Sequence, residues 1–142
     1  MDYLSVFDIS ASGLSVEKSR LELVASNLAN ANSTRPADQR PYAAKRLMTN
    51  PAGAKSFAEQ MNLVDELRGV GSGKVYESND DFRLSYEPDN PNSDEKGFVK
   101  YANVNLLTEM MTMLRSQRAY EANVKAVNAY KAMIQQALKI GS

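Results

Sequence analysis

Three stretches of this sequence carry residue types that do chemistry elsewhere. Gly69-Val70-Gly71-Ser72-Gly73-Lys74 comes nearest to a phosphate loop, in which backbone N–H groups surround a phosphate, a lysine reaches it and a hydroxyl holds magnesium. The spacing fails at both ends, since Arg68 stands where the first glycine belongs and Val75 follows Lys74 in place of Ser or Thr. The dinucleotide pattern fails as well, and a flexible turn is the reading that remains. Asp89, Asn90, Asn92 and Asp94 with Gly97 have the oxygen ligands of a calcium loop, yet Pro91 and Ser93 occupy ligand positions and the glycine falls outside the sixth place. Asp80 and Asp81 are adjacent, so on a strand they point to opposite faces and do not pair as an acid and a base.

Composition narrows the chemistry further. The 142 residues include no Cys and no His, which removes thiolate nucleophiles, zinc–thiolate sites, the commonest general base and the commonest transition-metal ligand. No catalytic, cofactor-binding or metal-ligating set is assigned, and the expectation is that the chain is not an enzyme and needs no cofactor. Lys plus Arg and Asp plus Glu number 17 each, so no nucleic-acid partner is expected. The opening Met1-Asp2-Tyr3-Leu4-Ser5 has neither a basic start nor an apolar run, which predicts no cleaved signal peptide and no membrane insertion.

What these residues must be mounted on is mainly helix. A Pro-free run from Ser5 to about Ala31, with Ser5 and Asp8 spaced as a capping box, predicts a long first helix ended by Asn30-Ala31-Asn32-Ser33-Thr34-Arg35-Pro36. Gly13 inside it costs about 1 kcal/mol relative to Ala, so something beyond propensity must hold that turn. A second Pro-free run from Asn105 to Ile140 has Asn105 as its cap, Lys139 in its last turn and Gly141 just past it. All five prolines lie between. There, Tyr42 to Met48, Lys74 to Ser78 and Phe82 to Tyr86 read as short strands, and residues 52–68 as a short helix. The expected division is an N-terminal assembly helix at 1–35, a small β-containing insert and loop at 36–102, and a C-terminal assembly helix at 103–142.

Spacing within the helices suggests how they pack. Leu106, Met110, Met113, Tyr120, Val124, Val127, Ile134 and Leu138 recur at steps of three and four, as do Phe7, Ala11, Leu14, Leu21, Ala25 and Leu28. The fold class expected is therefore mainly α, with two long terminal helices forming a coiled-coil hairpin closed by the insert. Opposite the seams stand Ile9, Val16 and Leu23 in one helix, and Ala119, Ala122, Ala126, Ala129 and Met133 in the other. An apolar back on a soluble hairpin implies burial against neighbouring subunits. Asn27, Asn30 and Asn123 are candidate buried amides that fix register, with local capping the alternative for Asn30.

Ala11-Ser12-Gly13-Leu14 and Leu23-Val24-Ala25-Ser26-Asn27-Leu28-Ala29-Asn30-Ala31 resemble the N-terminal signature of flagellar rod and hook proteins. Tyr86 to Pro91, Gly97 to Lys100, Asn103 to Asn105, and Glu109-Met110 with Arg118 to Val124 resemble the proximal-rod members of that family. Phe98 stands where the family usually has Tyr, and Ala102 where Pro commonly precedes Asn103-Val104, so a less rigid entry to the second helix is expected.

The resemblance implies a structural subunit of the proximal rod that polymerises through its terminal helices, transmits torque and lines the export channel. Its implied partners are itself and other rod subunits in a helical assembly, together with the flagellar type III export apparatus. Its implied place is the periplasmic rod of the basal body, reached without a cleaved signal. The assembly interface expected comprises Ile9, Leu14, Val16, Leu21, Leu23, Asn27, Leu28 and Asn30 in the first helix, and Asn103 and Val104 before the second. Within the second it comprises Met110, Met113, Tyr120, Asn123, Val124, Val127 and Ile134. Another flagellar axial subunit and a cytoplasmic helical-hairpin adaptor remain alternatives. The adaptor leaves the block from Tyr86 to Asn105 unexplained.

Overall fold

The computed structural model describes residues 3–50, 70–71, 73–79 and 81–140, with side-chain burial described from Phe7 to Lys139. The short helix expected at 52–68, and Asp80 of the carboxylate pair, lie outside the described residues. Two long helices dominate: α1, Tyr3–Asn30, of 28 residues, and α2, Leu106–Ile140, of 35 residues. Between them are four strands of four residues each: β1, Lys45–Met48; β2, Lys74–Glu77; β3, Arg83–Tyr86; and β4, Phe98–Tyr101. β1 pairs with β2 and β3 with β4, as two separate two-stranded sheets.

The helix ends follow from local chemistry. α1 starts at Tyr3, two residues ahead of the serine expected to cap it. It stops where Asn30 turns its side-chain amide back to donate to Ser26 O at 2.8 Å, while Ser33 donates its N–H and its hydroxyl to Asn30 O. These side chains offer the backbone an alternative to another helical turn. α2 starts as the sequence predicts: Asn105 Oδ1 accepts the Thr108 N–H at 3.1 Å, and Asn105 O accepts the Glu109 N–H at 3.0 Å.

The chain divides into two compact units, one of Met1–Ser19, Met48–Lys74 and Arg115–Ser142, the other of Arg20–Leu47 and Val75–Leu114. In the first unit α1 and α2 run antiparallel. The Phe7 ring meets Tyr130 edge-on at 5.0 Å, and a Cβ placed on Gly13 would lie 3.0 Å from Asn123 Nδ2. That contact accounts for Gly13, because only a residue without a side chain lets Asn123 come so close. Ser12 anchors the chain beyond the helix by accepting the Val70 N–H at 3.0 Å, and Gly71 N–H donates to Asn50 O. Val70 and Gly71 of the glycine-rich stretch thus spend their amides within the chain.

The second unit is built on a small core of Val24, Ala31, Ala44, Val99 and Ala102. Strand β4 was not read from the sequence as a strand. It pairs antiparallel with β3, setting Tyr86 opposite Phe98 and Ser85 opposite the fully buried Val99. The connection is organised by the residues that have the composition of a calcium loop. Asn90 Nδ2 donates to Glu87 and Asn90 Oδ1 accepts the Asn92 N–H; Asp94 Oδ1 accepts the N–H groups of Lys96 and Phe98; Asn92 Nδ2 reaches Thr34 Oγ1. Gly97 closes the turn at φ 80°, a conformation that L side chains disfavour, and a Cβ there would meet the Tyr86 ring at 3.0 Å.

These contacts move three titrations. The Asn90 amide, then Ser85 and Tyr101, hold the Glu87 carboxyl below its ordinary 4.5. The Phe98 N–H holds Asp94 below 3.8, and the Glu87 carboxylate raises the Tyr101 hydroxyl above 10.0. A lowered carboxylate contributes stability that is present above its unfolded value and lost as pH falls through the folded one. A raised tyrosine contributes stability that is lost as pH rises through its folded value. Amide hydrogen exchange across β3 and β4, corrected for intrinsic rate, is therefore expected to show a plateau of protection between about pH 5 and about pH 9 and a loss on either side. Glu87→Gln should remove part of the acid limb and leave the part due to Asp94.

Candidate assembly site

Asn27, on α1, is the polar residue around which the second unit closes. It is 1% exposed, and each of its four hydrogen-bonding positions is filled. Its Nδ2 donates to Lys45 O at 2.8 Å and to Glu109 Oε2 at 3.1 Å, while its Oδ1 accepts the Lys45 N–H at 2.8 Å and the Tyr42 hydroxyl at 2.9 Å. The amide thus pairs with both backbone groups of Lys45, as a neighbouring strand would, and in the same plane reaches the first turn of α2. Ser26 Oγ lies 3.2 Å from the same tyrosine hydroxyl.

Glu109 is only 3% exposed, and Arg46 approaches it at 3.9 Å. Its carboxylate sits in the opening turns of α2, where the helix dipole favours negative charge. A buried amide and a buried carboxylate each need partners in fixed places, so together they select one arrangement of α1, β1 and α2. Among the described residues, no group of three acidic side chains could hold a metal ion. Nor is any helix long and apolar enough to cross a membrane.

The buried face of α2 differs from the seam expected. The less exposed positions are Glu109, Thr112, Met113, Ser116, Ala119, Asn123, Val124, Val127, Tyr130 and Ile134. Of the expected seam, Leu106, Met110, Tyr120 and Leu138 are 50%, 50%, 38% and 69% exposed, so these four turn outward. On α1, Ala11 and Ala25 of the seam are exposed, while Val16, expected on the outer back, is buried and Leu23 half-buried. The physical reason is side-chain size. Gly13 admits the close approach of Asn123 and Asn27 bonds Glu109, so small and polar residues make part of the helix contact, beside the larger Phe7 and Tyr130 pair.

Among the remaining interface candidates, Ile9, Leu14, Leu21, Leu28 and Val104 are half-buried and Asn103 is exposed. Asn30 serves as the local cap, Asn27 bonds the Glu109 carboxylate, and Asn123 lies against Gly13. Glu109 was not singled out by its own chemistry; its signal was an acidic residue four places after the Asn105 cap.

Opposite the buried face lies an apolar surface. Leu106, Leu107, Met110, Met111 and Leu114 are between 47% and 69% exposed. At about 100° per residue they occupy an arc of roughly 140°, away from the arc of Glu109, Thr112 and Ser116. Further along, Tyr130, Met133, Ile134, Ala137 and Leu138 line a shallow apolar groove.

Two family models match this chain at its two ends: one described as "Flagella basal body rod protein" over residues 7–36, the other as "Flagellar basal body rod FlgEFG protein C-terminal" over residues 95–140. The flagellar basal-body rod protein FlgC of Escherichia coli O6:H1 is 38% identical over 141 residues, covering 99% of each chain. That of Bacillus subtilis is 37% identical over 145 residues, covering 94% of this chain and 95% of its own. That of Borreliella burgdorferi is 32% identical over 149 residues, covering 99% of this chain and 98% of its own.

The chain belongs to the FlgC family of flagellar basal-body rod proteins. FlgC proteins are structural components of the rod and not enzymes, so the surfaces just described are to be read as contacts rather than as an active site. Two residues of this chain's polar node lie within the matched stretches, Asn27 in the first and Glu109 in the second.

Asn27→Ala is expected to lower the stability of the second unit by about 3 kcal/mol, because it strands a buried carboxylate and two backbone groups of Lys45. Asn27→Asp should cost more, since it sets a second carboxylate against Glu109 and Lys45 O. Urea unfolding followed by tryptophan-free probes such as far-ultraviolet circular dichroism measures both, and equal stabilities for the two variants would contradict the bonding pattern.

Proposed function

We propose that this rod subunit polymerises by laying the outward apolar stripe of α2 against neighbouring subunits, both copies of itself and other rod proteins. The observation that carries the reading is the run Leu106, Leu107, Met110, Met111 and Leu114, exposed at the start of a capped helix whose opposite face is already occupied. A chain that stayed alone would leave this surface in water, and contiguous apolar patches of this kind mark interaction sites. The three-part division expected from the sequence fits this use, with residues 1–35 and 103–142 as assembly helices and 36–102 as the insert between them. The interface residues named from the sequence join the stripe to the extent that they face outward, Met110 foremost.

In this reading the two long helices pair as a coiled-coil hairpin in the assembled rod. The antiparallel contacts of Phe7 with Tyr130 and of Gly13 with Asn123 support it. Helices buried on both faces resist bending because close-packed interiors transmit strain, and this suits a rod that carries torque around an export channel. The subunit reaches the periplasmic rod through the flagellar type III apparatus. Folding of its ends is coupled to docking.

A double substitution, Leu107→Asp with Met111→Asp, isolates the stripe from the fold, since both side chains are exposed. The variant is expected to keep the circular dichroism and β3–β4 amide protection of the parent, while its amount in purified basal bodies, measured by quantitative mass spectrometry, falls by about tenfold or more. Parental levels in the basal body would show that the stripe is not a subunit contact.

A further inference from the structure

The α2 stripe contains two of the chain's seven methionines side by side, in a sequence with no cysteine to react before them. Met110 is 50% and Met111 47% exposed, whereas Met113, three residues beyond Met110, is half-buried. A thioether is the most readily oxidised group left in such a chain, and its reactivity follows access to solvent. We infer that Met110 and Met111 form an oxidation-sensitive site on the free subunit, and that their sulfoxides keep the subunit out of the rod. The inference rests on the stripe being a subunit contact.

The oxidant is a peroxide. The thioether sulfur attacks one peroxide oxygen, an S–O bond forms as the O–O bond breaks, and the departing oxygen leaves as water after proton transfer. Sulfur is oxidised by two electrons and the peroxide reduced by two. The product replaces a flexible apolar side chain with a polar, chiral one. Leu106, Leu107 and Leu114 surround the pair and offer no donor to the new oxygen, so docking would bury it unpaired. Once docked, the same thioethers are covered by the neighbour, which confines the sensitivity to the time before incorporation.

The test has two parts. Purified full-length chain treated with hydrogen peroxide and followed by peptide mass spectrometry should convert Met110 and Met111 several-fold faster than Met113. In cells, Met110→Gln with Met111→Gln, which imitates the polarity of the sulfoxide, should lower the amount of the chain in basal bodies by about tenfold relative to Met110→Leu with Met111→Leu. Conversion of Met113 at the same rate, or equal incorporation of the Gln and Leu pairs, would overturn the inference. Exclusion of the Leu pair as well would instead count against an apolar subunit contact at this place, while the conversion rates would still decide the chemical half.

Discussion

One buried amide fixes how the second unit is put together. Asn27 meets a strand backbone at Lys45, a tyrosine at position 42 and the carboxylate of Glu109, with no bonding position left over. An apolar side chain of the same size would pack there in several ways, whereas an amide with two donors and two acceptors tolerates one. The arrangement of α1, β1 and the first turn of α2 follows from this, as does which face of α2 remains outside.

Using small and polar residues for the inner contacts has a consequence for the outer ones. The described core contains nothing larger than valine among its apolar side chains, while leucines, methionines and tyrosines stand in solvent. In a protein that works alone this would be a poor arrangement of apolar area. On the proposed reading it separates two tasks, since a modest core keeps the chain folded and the larger side chains are held for neighbours. The β3–β4 hairpin carries the fully buried Val99, and its connection is bonded through Asn92 to Thr34, just past α1.

Much of this was legible in the sequence, and the exceptions have physical causes. Helix extents followed from proline-free runs and from Asn105, because caps and breakers act locally. The ends of β2 and β3 came within two residues for the same reason. β4 was missed because Phe98-Val99-Lys100-Tyr101 is short and gains its order from pairing with β3, a distant partner. Half of the expected α2 seam, Met113, Val124, Val127 and Ile134, lies on the less exposed face, and the other half was misplaced because periodicity assigns large apolar residues to the inside. Here Met110 and Tyr120 face out and Ser116 and Asn123 face in. Asn27 was recognised as a candidate, but its match to both backbone groups of Lys45 depends on a register that no local pattern encodes.

The separation of inner and outer faces is tested most directly by thiol labelling, which the natural absence of cysteine makes clean. Single Leu114→Cys and Val99→Cys variants would be labelled both as free subunits and within isolated basal bodies. The account predicts fast labelling of position 114 in the free chain, protection of about tenfold or more in the rod, and slow labelling of position 99 in both. Equal labelling of position 114 in the free chain and the rod would contradict it.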